Sequence, residues 1–301
     1  MDFYDVIQLV IRYRHFEKPD DIALQEQFWL EVTKNLSWPW KPNKTQEFFS
    51  KKDTFDPRSK YFAFEGENLV GYQSFVAGRD FIALGYPWIK DHAKKEEIQN
   101  ELWNHTLEVL DKDFPNLYLL QRFRKEWTDH INFFLDRGFS LADQYPIFIH
   151  EIKKTYPYDE LNSKITIDVH SNMQEELLRK VLTAKKDLEP TKISGIINSA
   201  KYLDYDRSIY LEVENKPQLY LGSTIRYDAS YAEIALHEWD DQLKESDFYN
   251  TLAIQRMILE LSNLNLRNVS MTLEDTDPII PILQELDFSE RSKSVFVRLD
   301  R

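Results

Sequence analysis

At 301 residues the chain is about twice the usual size of a domain, and its 42% hydrophobic content, with 19 Phe, 16 Tyr and 7 Trp, is enough for two ordered cores and excludes global disorder. Its 51 acidic residues against 38 Lys and Arg leave a formal net charge of -13, which repels a phosphate backbone, so nucleic acid is not expected as a partner. The absence of Cys excludes disulfides, thiolate nucleophiles and cysteine metal sites, and no apolar run reaches the ~18 residues of a membrane span. MDFYDVIQLVIRYRHFEK starts acidic and is broken by Arg12, Tyr13 and Arg14, unlike a secretion signal, so a cytoplasmic protein with no membrane partner is expected.

Residues 3–16 read as a strand, and DIALQEQFWLEVTKNL, with Ile22, Leu24, Phe28, Trp29 and Val32 on one side, reads as a helix. The Pro-, Lys- and aromatic-rich residues 37–60 either cover a pocket or pack Trp38 and Trp40 onto the core. KYFAFEGENLVGYQSFVAG and FIALGYPWI give three strands of an antiparallel meander, and KDHAKKEEIQNELWNHTLEVLDKDF gives a long helix with Ile98, Leu102, His105 and Val109 near one face. LYLLQRF is a strand, DHINFFLDRG a short helix and YPIFIHEI a closing strand.

The second half repeats this order. ITIDVH is a strand and SNMQEELLRKVLTAKKDL a helix, with Ser171 and Gln174 spaced for a capping box. SIYLEVENKPQLYLGSTIRYD and YAEIALHEW give three strands, DFYNTLAIQRMILELSNLN the long helix, VSMTLE a strand, DPIIPILQELDF a short helix and SVFVRLD the last strand. The letters recur too, YFAFEGENLVGYQSF against IYLEVENKPQLYLGS and FFLDRGFS against PILQELDFS, so a duplication is more economical than one large sheet. The boundary is set in KKTYPYDELNS, residues 153–163, giving domains 1–157 and 158–301.

On this order, and on ENLVGYQSF at 67–75, NFFLDRGF at 132–139 and ILQELDF at 282–288, each half resembles a GCN5-related N-acetyltransferase (GNAT) domain. The resemblance implies an α/β fold of two consecutive GNAT-like domains, each a mixed, splayed sheet flanked by helices. It further implies acetyl-CoA or another acyl-CoA as cofactor, its pantetheine arm beside the fourth strand and its pyrophosphate on amides at the start of the long helix. In the first half Lys94 stands at the basic position of that phosphate loop, with Glu97 and Gln99 where small residues are expected. Glu96 and Glu97 suit a solvated, dipole-stabilised helix start better than a phosphate seat. In the second half Phe248 takes the basic position and Asn250, Thr251, Leu252 and Ala253 form the candidate seat, with Glu245 and Asp247 as liabilities.

N-acyl transfer needs a neutral amine, a route for its proton and an acid for the departing thiolate. The tyrosine that family members often carry in the short helix is replaced by Phe134 and Leu283, which donate no proton. Glu233 lies on the strand where these enzymes often carry a base, and its even separation from His237 puts both on one strand face, as a proton path or as surface and packing residues. Tyr86 and His130 are the first-half candidates, with Tyr72 and Tyr118 competing for the same roles. No His, Asp or Glu set has metal-ligand spacing. The leading reading is transfer of an acyl group to a small-molecule amine, one half active and the other a buttress. The alternatives are a noncatalytic pseudoacyltransferase that binds a metabolite or a protein, and a dimerisation module, a homodimer being compatible with each.

Overall fold

A computed structural model of the chain describes residues 10–42, 56–153, 164–185, 188–239 and 246–301. The first half runs β1 (Ile11–His15), α1 (Asp20–Thr33), β2 (Lys60–Glu65), β3 (Asn68–Ala77), β4 (Phe81–Leu84), β5 (Trp88–Ile89), α2 (Lys95–Asp113), β6 (Tyr118–Arg124), α3 (Thr128–Leu135) and β7 (Ser140–Glu151). The second half runs β8 (Ile165–His170), α4 (Glu175–Ala184), α5 (Pro190–Leu203), β9 (Arg207–Val213), β10 (Lys216–Arg226), β11 (Tyr231–Trp239), α6 (Ser246–Asn263), β12 (Asn268–Thr272), α7 (Ile280–Glu285) and β13 (Ser289–Leu299). The boundary expected at 157/158 lies outside the described residues.

Two local expectations change. Helix α5 was not read from the sequence, although Pro190 opens it and Ile193, Ile197 and Ala200 are buried at helical spacing. The capping box at Ser171 and Gln174 does not form: the Gln174 side chain makes no cap bond to α4, and the Gln174 backbone amide donates to the Tyr220 hydroxyl at 2.8 Å.

The strands form one continuous sheet, ordered β1-β2-β3-β4-β6-β13-β7-β12-β11-β10-β9-β8 with β5 on β3, where two separate sheets were expected. The reason is an exchange of closing strands. β13, from the second half, pairs antiparallel with β6 of the first, and β7, from the first half, pairs antiparallel with β12 of the second. β7 and β13 also pair with each other from Ser289↔Ile149 to Arg298↔Ser140, so the halves share a backbone ladder at the middle of the sheet.

Alternation sets the faces. Ala63 of β2 packs with Ile98 and Leu102 of α2, while Leu219, Leu221, Ala232 and Ile234 of β10 and β11 pack with Ile254, Met257 and Leu261 of α6. On the other face lie α1, with Phe28 against Tyr72, and α4 and α5, whose Leu178, Val181, Ile193 and Ile197 cluster with Tyr210 and Tyr220. Burying each such aliphatic side chain contributes about 1.5–3 kcal/mol.

Candidate functional site

Both halves contain a fork where a parallel strand pair opens. β4 pairs with β6 only over Phe81↔Tyr118, Ile82↔Leu119 and Ala83↔Leu120, and β11 pairs with β12 only over Tyr231↔Asn268, Ala232↔Val269 and Glu233↔Ser270. Each fork begins at a bulge. On β11 the partners Gly222↔Leu236 and Ser223↔Ile234 leave Ala235 as an extra residue, and the step from Phe75 to Tyr72 on β3 spans the longer step from Leu84 to Trp88. Past the bulge β11 keeps its ladder with β10 alone, while Leu273, after β12, donates its amide to Pro146 at 3.2 Å beside β7.

The forks differ in what occupies them. In the first half the Tyr86 ring centroid lies 4.5 Å from His130 and 5.0 Å from Trp88, and Trp88 lies 4.8 Å from His130 and 6.1 Å from Trp127. These rings pack between β5 and the end of β6 and leave at this fork a smaller cavity of about 220 Å³, lined by Ala83, Gly85, Trp88 and Gln121 among others. In the second half the fork opens into a cavity of about 570 Å³. Glu233, Ile234 and Ala235 form one wall, Thr272, Leu273, Glu274 and Asp277 the other, and the first half adds Lys41, Arg122 and Tyr145.

A polar cluster spans the halves at the mouth of this cavity. Glu233 is 7% exposed and receives Arg124 Nη2 at 2.9 Å, Arg122 Nη2 at 3.2 Å and Thr272 Oγ1 at 3.0 Å. Burial pushes the Glu233 carboxyl up, but the two guanidinium groups outweigh it and hold the pKa near 2. Arg124, fully buried, also donates to the Trp38 carbonyl at 3.0 Å, and its guanidinium carbon lies 5.2 Å from the Trp40 ring centroid. Residues 37–42 thus run as a strap over the cluster. Arg226 donates to the Trp40 carbonyl at 2.9 Å, and Lys41 binds Asp204 at 3.2 Å and Asp206 at 3.0 Å. Trp40 packs against the first-half core and lines the cavity, while the Trp38 ring lies 5.8 Å from that of Tyr231; residues 43–55 of the expected cover lie outside the described residues.

No family model matches the chain, and no curated protein matches it in sequence. Solved structures do. A tandem GNAT protein from the clavulanic acid biosynthesis pathway covers 97% of this chain and 98% of its own at 12% identity, with a TM-score of 0.66. An N-myristoyltransferase of Saccharomyces cerevisiae with bound myristoyl-CoA covers 96% and 78% at 9% identity, TM-score 0.61. A GCN5-related N-acetyltransferase from Sphaerobacter thermophilus covers 96% and 95% at 8% identity, TM-score 0.55. The fold is a GNAT fold.

The GNAT fold sets a test for the two cofactor seats expected from the sequence. In the first half Lys94 is the residue preceding α2, and its amide already donates to His92 Nδ1 at 3.0 Å, while the Lys95 amide donates to the His92 carbonyl at 3.1 Å. Glu96 and Glu97 occupy the first turn, and Gln99 turns inward to the Tyr86 hydroxyl at 2.7 Å. Rings narrow its fork as well, so this half fits coenzyme A less well than the second. In the second half the open edge of β11 over Ile234–Trp239 and the start of α6 fit the arm of such a cofactor. The seat at Asn250–Ala253 is corrected: these residues lie past the first turn of α6, where amides are spent within the helix. Leu252 and Ala253 are buried in the core, Thr251 Oγ1 donates to the Asp247 carbonyl at 2.9 Å, and Asn250 Oδ1 pairs with His237 Nε2 at 2.8 Å. Residues 240–245 lie outside the described residues.

The proton-transfer candidates are also redistributed. Glu233 and His237 do not share a face, because the bulge at Ala235 advances the alternation by one residue: Glu233 points to the strap and His237 to α6. Burial lowers the His237 pKa to about 4, and its ring stacks on Trp239 at 4.0 Å. Burial likewise lowers His130 to about 4 and raises Tyr86, against the opposing effect of the Gln99 hydrogen bond. Phe134 and Leu283 are fully buried core residues. Sequence reasoning passed over Arg122 and Arg124. Their signal was present, two cations at alternate positions of a strand otherwise read as apolar, which a buried carboxylate from elsewhere must answer.

Proposed function

We propose that the chain transfers an acyl group from a coenzyme A thioester to a small-molecule amine in the second-half cavity. In this reading it is a tandem of GNAT-like units, 1–157 and 158–301, the first having become a wall of the second's site. The observation that carries it is the asymmetry of the forks, one narrowed by Tyr86, Trp88, Trp127 and His130 to a cavity of about 220 Å³, the other open to about 570 Å³ and lined from both halves.

A bound acyl-CoA would supply the thioester. The backbone edge Ile234–Trp239 would hold its arm by adding hydrogen bonds like a further strand, and the first-turn amides of α6 would hold its phosphates, with Asp247 in that turn opposing them. The Arg122–Glu233–Arg124 cluster fixes the width of the fork. Glu274 and Asp277 line the cavity with no cation partner among the described residues, and they attract a protonated amine and accept its proton. Tyr145, brought in by the exchanged strand β7, offers an O–H donor in the wall where Leu283 cannot.

Calorimetric titration with acetyl-CoA tests this. Saturable binding is expected for the natural chain and for Lys94→Glu in the first half, and at least tenfold weaker binding for Ala235→Trp with an unchanged melting temperature. No binding by the natural chain refutes the assignment. A second reading rests on the burial of Leu283 and the double arginine clamp on Glu233, which leave both family positions without an acid or base. It is a noncatalytic binder, for which coenzyme A binding persists while no amine in a screen releases free thiol.

A further inference from the structure

A second cavity, of about 220 Å³, lies in the first half on the α1 face of the sheet. Trp29 of α1, Tyr72 of β3, Trp88 of β5 and Trp40 of the strap give it aromatic walls, and Lys60, from the first position of β2, lies in its lining. Lys60 is only 3% exposed, and among the described residues its ammonium has no carboxylate and no hydrogen-bond acceptor. Every other buried cation discussed here is answered: Arg124 by Glu233, Arg226 by Asp228, Lys41 by Asp204 and Asp206. A buried ammonium without a counter-charge is unfavourable and is retained only where something compensates it.

We propose that this first-half cavity is a binding site for a small monocarboxylate with an aromatic or branched apolar body, its carboxylate paired with Lys60 and its body against Trp29, Tyr72 and Trp88. One ammonium balances one negative charge. No arginine lines the cavity, which sets it apart from a site for a dianionic phosphate. Ser74, directly opposite Lys60 in the β2–β3 ladder, adds a hydroxyl donor on the same wall. Burial holds the Lys60 pKa down to about 8, so the free site is partly neutral at mildly alkaline pH and a bound carboxylate draws it back to the charged form. Glu26 also lines the cavity but is exposed and forms no ion pair with Lys60. The site is separate from the second-half cavity, although Trp40, Lys41 and Gln121 line both, and it stands whether or not the chain transfers acyl groups.

The test is quenching of tryptophan fluorescence by phenylacetate, indole-3-acetate and 4-methylpentanoate, each compared with its neutral amide, on the full chain. The carboxylates are expected to bind at least tenfold more tightly than the amides, and Lys60→Met is expected to erase that preference while raising the melting temperature. Lys60→Arg is expected to restore part of it. Equal binding of carboxylate and amide by the natural chain, no binding of either, or an unchanged preference in a folded Lys60→Met each overturns the proposal. Because the first comparison uses the natural chain, a variant that fails to fold does not remove the test. Addition of coenzyme A separates the two sites: carboxylate binding is expected to survive saturation with it, and direct competition overturns the assignment to the first half.

Discussion

Replacing Glu233 by Gln distinguishes a structural clamp from a catalytic base. The carboxylate is 7% exposed and holds two guanidinium groups, one of them, Arg124, without any exposure of its own. Removing one member of a buried ion pair costs about 3–5 kcal/mol, because the partner charge stays behind uncompensated. Titration gives a similar figure. A carboxyl held near 2 in the folded chain, against a reference of 4.5, contributes about 3 kcal/mol at neutral pH, a contribution present above the unfolded pKa and lost as pH falls toward the folded one. Chemical unfolding followed by tryptophan fluorescence should therefore show E233Q less stable by roughly 3 kcal/mol, with a melting temperature lower by about 5 °C. The reasoning is refuted if E233Q unfolds within about 1 kcal/mol of the natural chain, about the net value of an ordinary hydrogen bond. Unchanged stability with abolished turnover would restore Glu233 as a base.

Three further outcomes are expected. A Cβ at Gly85 would lie 2.5 Å from the Ser74 carbonyl oxygen, so Gly85→Ala should cost about 1–3 kcal/mol by closing the first-half bulge. Coenzyme A affinity should be untouched by that change, and a loss of affinity would contradict the assignment of the cofactor to the second half. Trp127 is 2% exposed and donates to the Ser37 carbonyl at 2.8 Å; Trp127→Ala should cost about 3–5 kcal/mol in urea unfolding, and a loss below 1 would show that the rings do not narrow the fork. His130 and His237 titrate near 4 when folded, below their reference of 6.5, so the unfolded chain binds the extra protons and stability should fall as pH drops from about 6.5 toward 4. A melting temperature constant across that interval in the natural chain, or a decline undiminished in the doubly substituted His130→Phe, His237→Gln chain, would contradict it.

The order of elements was legible because strands and helices of this chain carry clear signals: residues 60–65 and 68–77 are short, nearly continuous buried runs on either side of a turn at Gly66, and Ile98 and Leu102 mark the buried side of α2. Helix α5 was missed because its apolar positions are interleaved with Ser194, Gly195 and Asn198, which read as a loop. The exchange of β7 and β13 leaves no local trace, since YPIFIHEI and SVFVRLD have the same alternation whichever neighbour they take. The opposed faces of Glu233 and His237 turn on one bulged residue, Ala235, whose small side chain fits a regular strand equally well. The clamp required knowing that residues 122 and 124 lie beside residue 233, a proximity created by the strand exchange itself.

That exchange also governs when the molecule can become itself during synthesis. The first half emerges from the ribosome with the free edge of β6 uncovered, and the strand that covers it, Ser289–Leu299, is made more than a hundred residues later. Until then the backbone edges of β6 and β7 that pair with β13 have no partner strand, a surface on which chaperones or sister chains can act. Maturation of both halves is thereby a single event, timed by the arrival of β13 in the middle of the sheet.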